Sequence, residues 1–396
     1  MASRFRIRLV TSIDEIEAVQ WDRCANPDPC VATDDVLQRE RFNPFLTHAF
    51  LRALESSGSV GGKSGWTPTH VLVEDDAGRV IAVAPTYLKT HSMGEYVFDY
   101  GWAEAYERAG LSYYPKLQVA VPFTPVTGRR LLISSEGGEL AANALIAGLR
   151  SWRDKIDASS IHVTFPTKAE WEMLGAKGFL KRTGQQFHFL NKNYDDFESF
   201  LGNLTSRKRK TIKRERKDAL ANEITIEHLT GAEITEAHWD AFFAFYIDTG
   251  SRKWGRPYLT RTFFSAIGES MSEHILLVMA KRGRRYIAGA INFIGKDALY
   301  GRNWGSIEEH PFLHFEVCYY QAIEYAIAHG LARVEAGAQG EHKLARGYVA
   351  VPTYSAHDIA HPRFASAIDE FLARERAAVE GALEDYAEMA PFKKGV

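Results

Sequence analysis

Residues 274–305 read "HILLVMAKRGRRYIAGAINFIGKDALYGRNWG", and this stretch decides the fold. Two apolar runs flank a glycine turn and a third apolar run follows, a pattern that predicts a β-hairpin and a further strand. Residues 315–330, "FEVCYYQAIEYAIAHG", have the apolar spacing of a helix, and residues 332–337, "ARVEAG", begin with a short strand. This order predicts an α/β fold with mixed (α+β) sheets and helices on the sheet faces.

The first half of the chain repeats this order. Residues 69–89, "THVLVEDDAGRVIAVAPTYLK", predict a hairpin, residues 139–156 a helix and residues 160–165 a short strand. Short words recur as well, such as "KGF" in the first half and "RGY" in the second. An imperfect tandem duplication explains both observations. We therefore predict an N-terminal domain over residues 1–192 and a C-terminal domain over residues 193–396.

The composition is that of an ordinary soluble protein. Of its 396 residues, 45% are hydrophobic and 25% are charged, and the formal net charge is -2. No apolar run approaches the roughly 20 residues of a membrane helix, and the N-terminus lacks the apolar block of a secretory signal, so we expect a cytoplasmic protein. The near-neutral charge argues against a surface devoted to phosphate backbones, so any nucleic-acid contact must be local.

Cysteine and histidine spacings argue against a metal site. Cys24, Cys30 and Cys318 are odd in number and form no CxxC pair, which disfavours a disulfide framework and a thiolate zinc site. The histidine pairs in "HPFLH" (310–314) and "HDIAH" (357–361) lie beside prolines and lack a third ligand. The glycine-rich "GSVGGKSGW" falls short of the phosphate-loop spacing. We expect neither a bound metal nor nucleotide hydrolysis.

The stretch "SRKRKTIKRERKD", residues 206–218, places eight basic side chains in eleven positions. Apolar spacing around it predicts one continuous helix over residues 195–221, roughly 40 Å long at about 1.5 Å per residue. Lys208 and Glu215 fall on the apolar stripe, so we expect the middle of this helix to be solvated all round. The run is either a solvated helix face or a contact for a phosphorylated or nucleic-acid ligand. The possible nucleic-acid contacts are Arg207, Lys208, Lys210 and Arg214.

Residues 333–348, "RVEAGAQGEHKLARGY", carry the densest chemistry. They follow a short apolar strand, and the ends of strands in open mixed sheets are common places for sites. The glycines would let backbone N–H groups approach a ligand closely, although a hydrophilic connecting loop is the plain alternative. The polar residues of the stretch are Glu335, Gln339, Glu341, His342, Lys343 and Arg346.

A second motif precedes the predicted long helix. Arg302-x-x-Gly305-x-Ile307 is close to the R/Q-x-x-G-x-G/A loop with which acetyltransferases of the GNAT superfamily hold the pyrophosphate of coenzyme A. Ile307 replaces the last small residue of that pattern. Upstream, "SRKWGRPY" offers Lys253 and Trp254 as positive charge and an aromatic wall, or simply as a buried tryptophan beside solvated neighbours.

Longer words resemble a known family. "YLKTHSMGEYVFDYGWAEAYERAGLSYYPKLQVAVPFTPVTGRRLL", "FYIDTGSRKWGRPYLT", "HFEVCYYQAIEYAIAHGL" and "EAGAQGEHKLARGY" are similar to the FemAB-like family of predicted N-acyltransferases. The resemblance implies tandem GNAT-like domains and direct acyl transfer to an amine, with a peptidoglycan-related precursor as a candidate acceptor. It implies no tightly bound cofactor, with acyl-coenzyme A or aminoacyl-tRNA as co-substrate. Better-understood Fem ligases use aminoacyl-tRNA.

Acyl transfer to an amine needs a neutral nitrogen, so a site supplies a base or desolvation. Glu341 or His342 is the first choice for the catalytic base, and Glu335 is the next. Lys343 would stabilise the oxyanion, and Arg302 and Arg346 would hold phosphate. The residues predicted to bind substrate or donor are Arg302, Trp304, Gly305, Lys253, Trp254, Lys343, Arg346 and Gln339.

Two other classes of function remain open from the sequence. A non-catalytic GNAT-fold protein could bind a cell-wall or nucleotide-linked ligand in the same cleft. An RNA-binding module could be built on the basic stretch, although such modules usually add aromatic stacking residues. The acceptor, the acyl group and the oligomeric state are not specified by these patterns.

Overall fold

The computed structural model describes residues 5–27, 42–253, 257–337 and 340–393. The chain forms two compact units. Unit 1 comprises Met1–Gly184 and Pro352–Glu380, and unit 2 comprises Gln185–Val351 and Gly381–Val396. The boundary between residues 192 and 193 stays a prediction about the sequence repeats. The compact units differ from those repeats because a late segment, Pro352–Glu380, packs with the first part of the chain.

The strands and helices alternate along the whole chain. The strands are β1 Arg6–Val10, β2 Trp66–Pro68, β3 His70–Glu74, β4 Val80–Ala84, β5 Thr86–Lys89, β6 Lys116–Val119, β7 Leu132–Ile133, β8 Ser160–Thr164, β9 Leu180–Leu190, β10 Ile224–Thr230, β11 Ile275–Arg282, β12 Arg285–Ile294, β13 Ala298–Ser306, β14 Arg333–Glu335 and β15 Val349–Ile359. The helices are α1 Ala18–Ala25, α2 His48–Ser56, α3 Tyr100–Arg108, α4 Gly138–Lys155, α5 Lys168–Ala176, α6 Phe197–Asn203, α7 Ser206–Ala219, α8 Glu236–Lys253, α9 Arg261–Met271, α10 Leu313–Phe315, α11 Gln321–Ala328 and α12 Pro362–Glu388. Within the described ranges, no helix is both long and apolar enough to cross a membrane.

Unit 2 confirms the elements predicted from residues 274–305. Strands β11 and β12 form an antiparallel hairpin, β13 pairs with β12, and β14 runs parallel to β13. The strand order in this unit is β10-β11-β12-β13-β14-β9. The helical segment from Leu313 to Ala328 connects β13 to β14 and is called the crossover helix. Alternate side chains of the strands, such as Val278 and Leu299, pack with its residues Val317 and Ile323 in one core. The crossover helix therefore covers one face of the sheet.

Unit 1 contains a related arrangement. Strands β3 and β4 form the predicted hairpin, and the sheet β1-β3-β4-β7 packs on α4. A second run of strands, β2-β5-β6-β8-β15, contains the parallel pair β6 and β8, which α4 connects. A parallel pair joined by a helix thus occurs in both units, as the repeat predicted.

The basic helix differs from its prediction in two respects. It is interrupted at Leu204 and Thr205, where the backbone leaves the helical conformation. The backbone there bonds to the C-terminal segment instead, because Thr205 N donates to Pro391 O at 3.0 Å and Lys393 N donates to Asn203 O at 3.0 Å. The prediction of one continuous helix over residues 195–221 was therefore wrong.

The middle of the basic helix is also not solvated all round. Glu215 is buried at 5% exposure, and its carboxylate accepts hydrogen bonds from Arg346 and Tyr320. Ile212 and Ala219 are buried on the same side of α7. The helix therefore has one face packed on unit 2 and one basic face exposed to solvent.

Candidate active site

Strands β13 and β14 pair over only three residues, and the region beyond their last pair is called the gap here. They pair only from Ala298 opposite Arg333 to Tyr300 opposite Glu335. Strand β14 ends at Glu335, whereas β13 continues to Ser306. Beyond Tyr300, the edge of β13 that had faced β14 has no partner strand in the described part of unit 2. An unpaired strand edge presents backbone N–H and C=O groups to a ligand.

A β-bulge lies at the same place. Ala290 is opposite Trp304, but Asn292 is opposite Gly301, so β13 has an extra residue between these pairs. Bulges redirect side chains and are frequent beside active sites. A small pocket of about 80 Å³ is present here. Its lining residues are Ala290, Asn292, Gly301, Arg302, Asn303, Trp304, His314, Cys318, Tyr319 and Ala336.

The crossover helix covers this pocket. Its short first turn, α10, is followed by a π-helical stretch over Glu316–Tyr320 and then by α11. π-Helical turns are rare and are often found at functional sites. Here the first turn and the π-helical stretch contribute His314, Cys318 and Tyr319 to the pocket.

Asn292 provides a buried polar group in the pocket. Its side chain is 1% exposed, and its Nδ2 donates to the carbonyl oxygen of Leu276 at 3.3 Å. Its Oδ1 has no hydrogen-bond partner among the described residues. A Cβ atom added to Gly301 would lie 3.3 Å from this oxygen. The glycine therefore leaves open the space in front of the amide.

Lys343 lies beside the pocket on a short 3-10 helix, Glu341–Arg346. Its Nζ donates to the carbonyl oxygens of Ala336 at 2.6 Å and Gly337 at 3.1 Å. Burial lowers the pKa of this ammonium to about 8. An ammonium has three N–H donors, and no third acceptor is present among the described residues. Lys343 thus retains one donor for a ligand.

The two neighbours that precede Lys343 were the first choices for the base. His342 Nε2 lies 3.0 Å from the hydroxyl of Tyr319, which lines the pocket. Burial, followed by the charge of Arg346, lowers the pKa of His342, so its ring is neutral at neutral pH. Glu341 is exposed and accepts a hydrogen bond from the Tyr386 hydroxyl at 2.6 Å. His342 therefore reaches the pocket through Tyr319, whereas Glu341 does not line it.

Glu335 is the buried carboxylate at the closed end of the gap. It is 3% exposed, and its Oε1 accepts a hydrogen bond from Arg333 Nε at 2.9 Å. Its Oε2 has no hydrogen-bond partner in the described ranges and lies 3.8 Å from His188 Nε2. Burial lowers the pKa of His188 to about 4, so this ring is neutral. One carboxylate oxygen of Glu335 is thus able to accept a proton.

Glu335 and Asn292 lie on opposite faces of the sheet. Glu335 is paired with Tyr300 and with His188, so these three side chains share a face. Asn292 is paired with Gly301, the residue that follows Tyr300, and successive strand residues point to opposite faces. The gap therefore has a carboxylate on one face and the amide-containing pocket on the other.

Arg346 is placed differently from its predicted role. One terminal nitrogen of its guanidinium donates to Glu215 at 2.9 Å and the other to the carbonyl oxygen of His342 at 2.7 Å. The group also stacks 3.4 Å from the centroid of the Phe315 ring and is 7% exposed. These contacts join α7 to the 3-10 helix and engage both terminal nitrogens within the protein, whereas Nε has no hydrogen-bond partner among the described residues.

The Arg302-x-x-Gly305 motif is not a loop in the structure. All four residues belong to strand β13, because the strand continues to Ser306. A Cβ on Gly305 would lie 2.2 Å from the carbonyl oxygen of Phe245, so the glycine is required for close packing of helix α8. Arg302 and Trp304 do line the pocket. The donor-binding roles of these three residues stay predictions.

Three further predicted positions cannot be placed against the pocket. Trp254 and Gln339 lie outside the described residues, and Lys253 is described only as the last residue of α8. In the two histidine pairs, His310 contacts Glu308 and His357 contacts His162. Across the described ranges, no three His, Cys, Asp or Glu side chains cluster as metal ligands would.

The exposed face of α7 is strongly basic. Lys213 pairs with Glu198, and Arg216 pairs with Glu316 and Glu324. The other basic side chains have no ion pair within the part of the chain that the structure describes, and they are Arg207, Lys208, Arg209, Lys210, Arg214 and Lys217. This face therefore presents uncompensated positive charge.

The sequence analysis missed three residues of this site. Asn292, Tyr319 and His188 were not singled out, although each contributes to the gap or its pocket. A signal existed for Asn292, because it interrupts the apolar run "AGAINFI" of a central strand. Buried polar residues in such runs need a partner, so they mark places to examine.

The profile of the FemAB-like family, described as peptidoglycan biosynthesis/recognition, matches residues 12–394. A search of the curated proteins found no significant match. Among solved structures, the chain is similar to FemX, with 14% identity, a TM-score of 0.53 and coverage of 91% of this chain and 100% of that one. It is also similar to L-PGS from Bacillus licheniformis, with 8% identity, a TM-score of 0.50 and coverage of 84% and 98%.

At these identities, the two structures bear on the fold alone. Both extend over most of this chain, in agreement with the mixed α/β architecture and the tandem GNAT-like domains predicted from the sequence, which are confirmed. The family profile spans nearly all of the chain. The protein therefore belongs to the FemAB-like family.

Proposed function

We propose that the protein is an N-acyltransferase that moves an aminoacyl group from aminoacyl-tRNA to an amine, by direct transfer within the gap of unit 2. The observation that carries this proposal is the gap itself. There, an unpaired strand edge lies between a carboxylate with a free oxygen and a pocket beside which Lys343 retains an N–H donor. A peptidoglycan-related precursor is the acceptor that the family description favours.

Glu335 is the proposed general base, in place of Glu341. Its Oε2 has no hydrogen-bond partner among the described residues, and its other oxygen is held by Arg333. A carboxylate held in this way can take a proton from an amine as its nitrogen attacks the donor carbonyl. The face of the sheet that carries Glu335 is therefore the proposed acceptor side, and the pocket face is the donor side.

Lys343, Tyr319 and His342 act on the donor side. The remaining N–H of Lys343 would stabilise the oxyanion that forms when the amine adds to the ester carbonyl. Collapse of this intermediate breaks the ester bond, and the departing ribose oxygen needs a proton. The Tyr319 hydroxyl, hydrogen-bonded to His342, is positioned to supply it. The cycle closes when Glu335 releases the proton of the amine to solvent and Tyr319 regains one from solvent through His342, so no net proton is gained or lost by the protein. No acyl-enzyme is required, because alignment of two bound reactants removes much of the barrier.

The basic face of α7 favours aminoacyl-tRNA over acyl-coenzyme A as donor. It presents cations without ion pairs in the described ranges, which suits a long polyanion. The feature predicted for coenzyme A is less favourable, because Gly305 serves the packing of α8 and lies within a strand. Arg207, Lys208, Lys210 and Arg214 are the proposed contacts to phosphate.

A mass-spectrometric transfer assay tests the proposal. The purified protein is incubated with a pool of amine acceptors and with either a charged tRNA pool or a panel of acyl-coenzyme A thioesters. We expect product only from charged tRNA, and the control variant Glu341→Gln should retain it. Product only from thioesters would show that the donor is wrong. Binding of an acceptor without product from either donor would favour a non-catalytic binding protein.

A further inference from the structure

The buried amide of Asn292 is unusual because its nitrogen has a hydrogen-bond partner and its oxygen has none among the described residues. Its Nδ2 has an acceptor in Leu276, but its Oδ1 has no donor among the described residues and is shielded from solvent. Buried polar atoms in native proteins are nearly always paired, so an unpaired one calls for an explanation. The explanation lies in the pocket that this oxygen faces.

The oxygen lies beside the reacting part of the gap. A Cβ on Gly301 would lie 3.3 Å from Asn292 Oδ1 and 3.8 Å from Cα of Ala336. The carbonyl oxygen of Ala336 is in turn the closest acceptor of the Lys343 ammonium, at 2.6 Å. The amide oxygen and the proposed oxyanion-stabilising lysine therefore both lie near the backbone of Ala336, which borders the gap.

We propose that Asn292 determines acyl-group specificity by accepting a hydrogen bond from the substituent next to the reacting carbonyl. This inference rests on the proposed transferase function, and for an aminoacyl donor the substituent is the α-amino group. A site with a buried acceptor rejects an analogue that lacks the matching donor, because the acceptor then stays desolvated and unpaired. Asn292 thus separates aminoacyl groups from plain acyl groups.

The pocket also limits the size of the acyl group. Its volume is about 80 Å³, and the absence of a side chain at Gly301 is what leaves this space open. A free α-amino group with a small side chain suits this space better than an N-acetylated aminoacyl group, which is bulkier and has lost one N–H donor.

The test uses one tRNA chemically charged with four groups that differ at a single position. Alanyl carries an α-amino group, lactyl an α-hydroxyl, propionyl neither, and N-acetylalanyl a donor with added bulk. For the wild-type protein we expect transfer from alanyl and lactyl esters, and kcat/KM at least about 10²-fold lower for propionyl. N-Acetylalanyl should also transfer poorly.

Two variants assign the selectivity to the amide. Asn292→Leu keeps the shape of the side chain but removes the acceptor, so the ratio of alanyl to propionyl kcat/KM should fall to near one. Asn191→Leu is the matched control, because Asn191 also donates from Nδ2 to a backbone carbonyl, that of Leu331 at 3.0 Å, and does not line the pocket. It should keep the wild-type ratio.

The outcomes separate this inference from the proposed function. Equal transfer of alanyl and propionyl groups by the wild-type protein would overturn the role of Asn292 and leave the transferase intact. If no ester reacts, the proposed function fails. The inference is then judged by calorimetric binding of 3′-alanylamino-3′-deoxyadenosine and its propionyl analogue. Preference for the alanyl probe, lost in Asn292→Leu, would support it, whereas equal binding or none would overturn it.

Discussion

Both units contain a parallel strand pair joined by a helix, but the ends of these pairs differ. In unit 1, the segment that follows β6 returns to the end of β8. There, the Arg130 guanidinium donates to the carbonyl oxygen of Thr164 at 2.8 Å, and Gly128 N donates to that of Phe165 at 3.1 Å. In unit 2 no described residue takes that place, and a pocket is present instead. The same arrangement is thus closed by its own chain in one unit and open to a ligand in the other.

The buried charges differ in the same way. In unit 1, Lys116 Nζ donates to Ser92 at 2.9 Å, to Glu95 at 2.7 Å and to Asp99, so its three N–H groups are all used. In unit 2, Lys343 contacts two backbone carbonyls and retains one donor. Burial of a charge therefore does not by itself mark a site.

The largest effect is expected for Glu335→Gln. This change removes the proposed base and also neutralises the buried charge partner of Arg333, so kcat should fall by about 10² to 10⁴ and the free energy of unfolding should fall by up to about 3 to 5 kcal/mol. Glu170→Gln is the matched change in unit 1, where the carboxylate accepts hydrogen bonds from the backbone of Arg130 and Leu131. It should lower stability by about 1.5 to 3 kcal/mol and leave kcat unchanged. Steady-state kinetics and denaturant titration measure both. Equal kcat for the two variants would remove the distinction between the units.

A stability effect of similar size is expected for Lys116→Met. The substitution leaves the carboxylates of Glu95 and Asp99 buried without their main cation, and breaking a buried ion pair from one side costs about 3 to 5 kcal/mol. Chemical denaturation of the purified variant provides the measurement. Lys343→Met should cost less, since its ammonium has no carboxylate partner in the described ranges. A larger loss for Lys343→Met would contradict this contrast.

A smaller effect is expected from the basic face of α7. Replacing Lys208 and Lys210 with alanine should weaken tRNA binding about tenfold at low salt and reduce the dependence of log K on log salt by about one unit per lost phosphate contact. Filter binding over a range of salt concentrations measures both quantities. Lys213→Ala is the control, because Lys213 is already paired with Glu198 at 2.6 Å. An unchanged salt dependence in the double variant would exclude this face as the RNA contact.

The smallest effect is a pH dependence. The pKa of Lys343 is lowered to about 8 by burial, so the group is an ammonium below that pH and a neutral amine above it. Stabilisation of the oxyanion needs the charged form, and kcat should therefore decline as the pH rises through about 8. Lys343→Arg, whose guanidinium stays charged, should remove this decline even if its overall rate is lower. A wild-type profile that is flat from pH 7 to 9 would argue against the role of Lys343.

The spacing of apolar residues predicted the strands and helices that depend on local sequence. It did not predict contacts between segments that are far apart in the chain. The hairpin β11–β12, strand β13 and the crossover helix were predictable because their apolar residues repeat at the spacing of each element. The break at Leu204 was not, because its backbone partners lie at residues 391–393. The internal use of Arg346 was missed for the same reason, since its partner Glu215 is far away in the sequence.

For the candidate site, the sequence singled out residues that the structure places at or beside the gap, whereas the roles proposed for them depend on burial and strand register. The stretch 333–348 does border the gap, and Glu335, His342 and Lys343 lie at or beside it. The ranking of the carboxylates requires burial, which separates Glu335 from the exposed Glu341. Asn292 could be identified as a site residue only from the register of β12 and β13, because the pairing with Gly301 shows that its oxygen faces open space.

The division of unit 1 into two chain segments has a consequence for how the protein is made. Its later segment, Pro352–Glu380, supplies the strand residues that pair with β8 and the core residues Ile368 and Leu372. A ribosome delivers these residues only after nearly all of unit 2 has been synthesised. Unit 1 therefore begins first but is completed only after most of unit 2 has been made, and until then the edge of β8 must be protected from pairing with another chain.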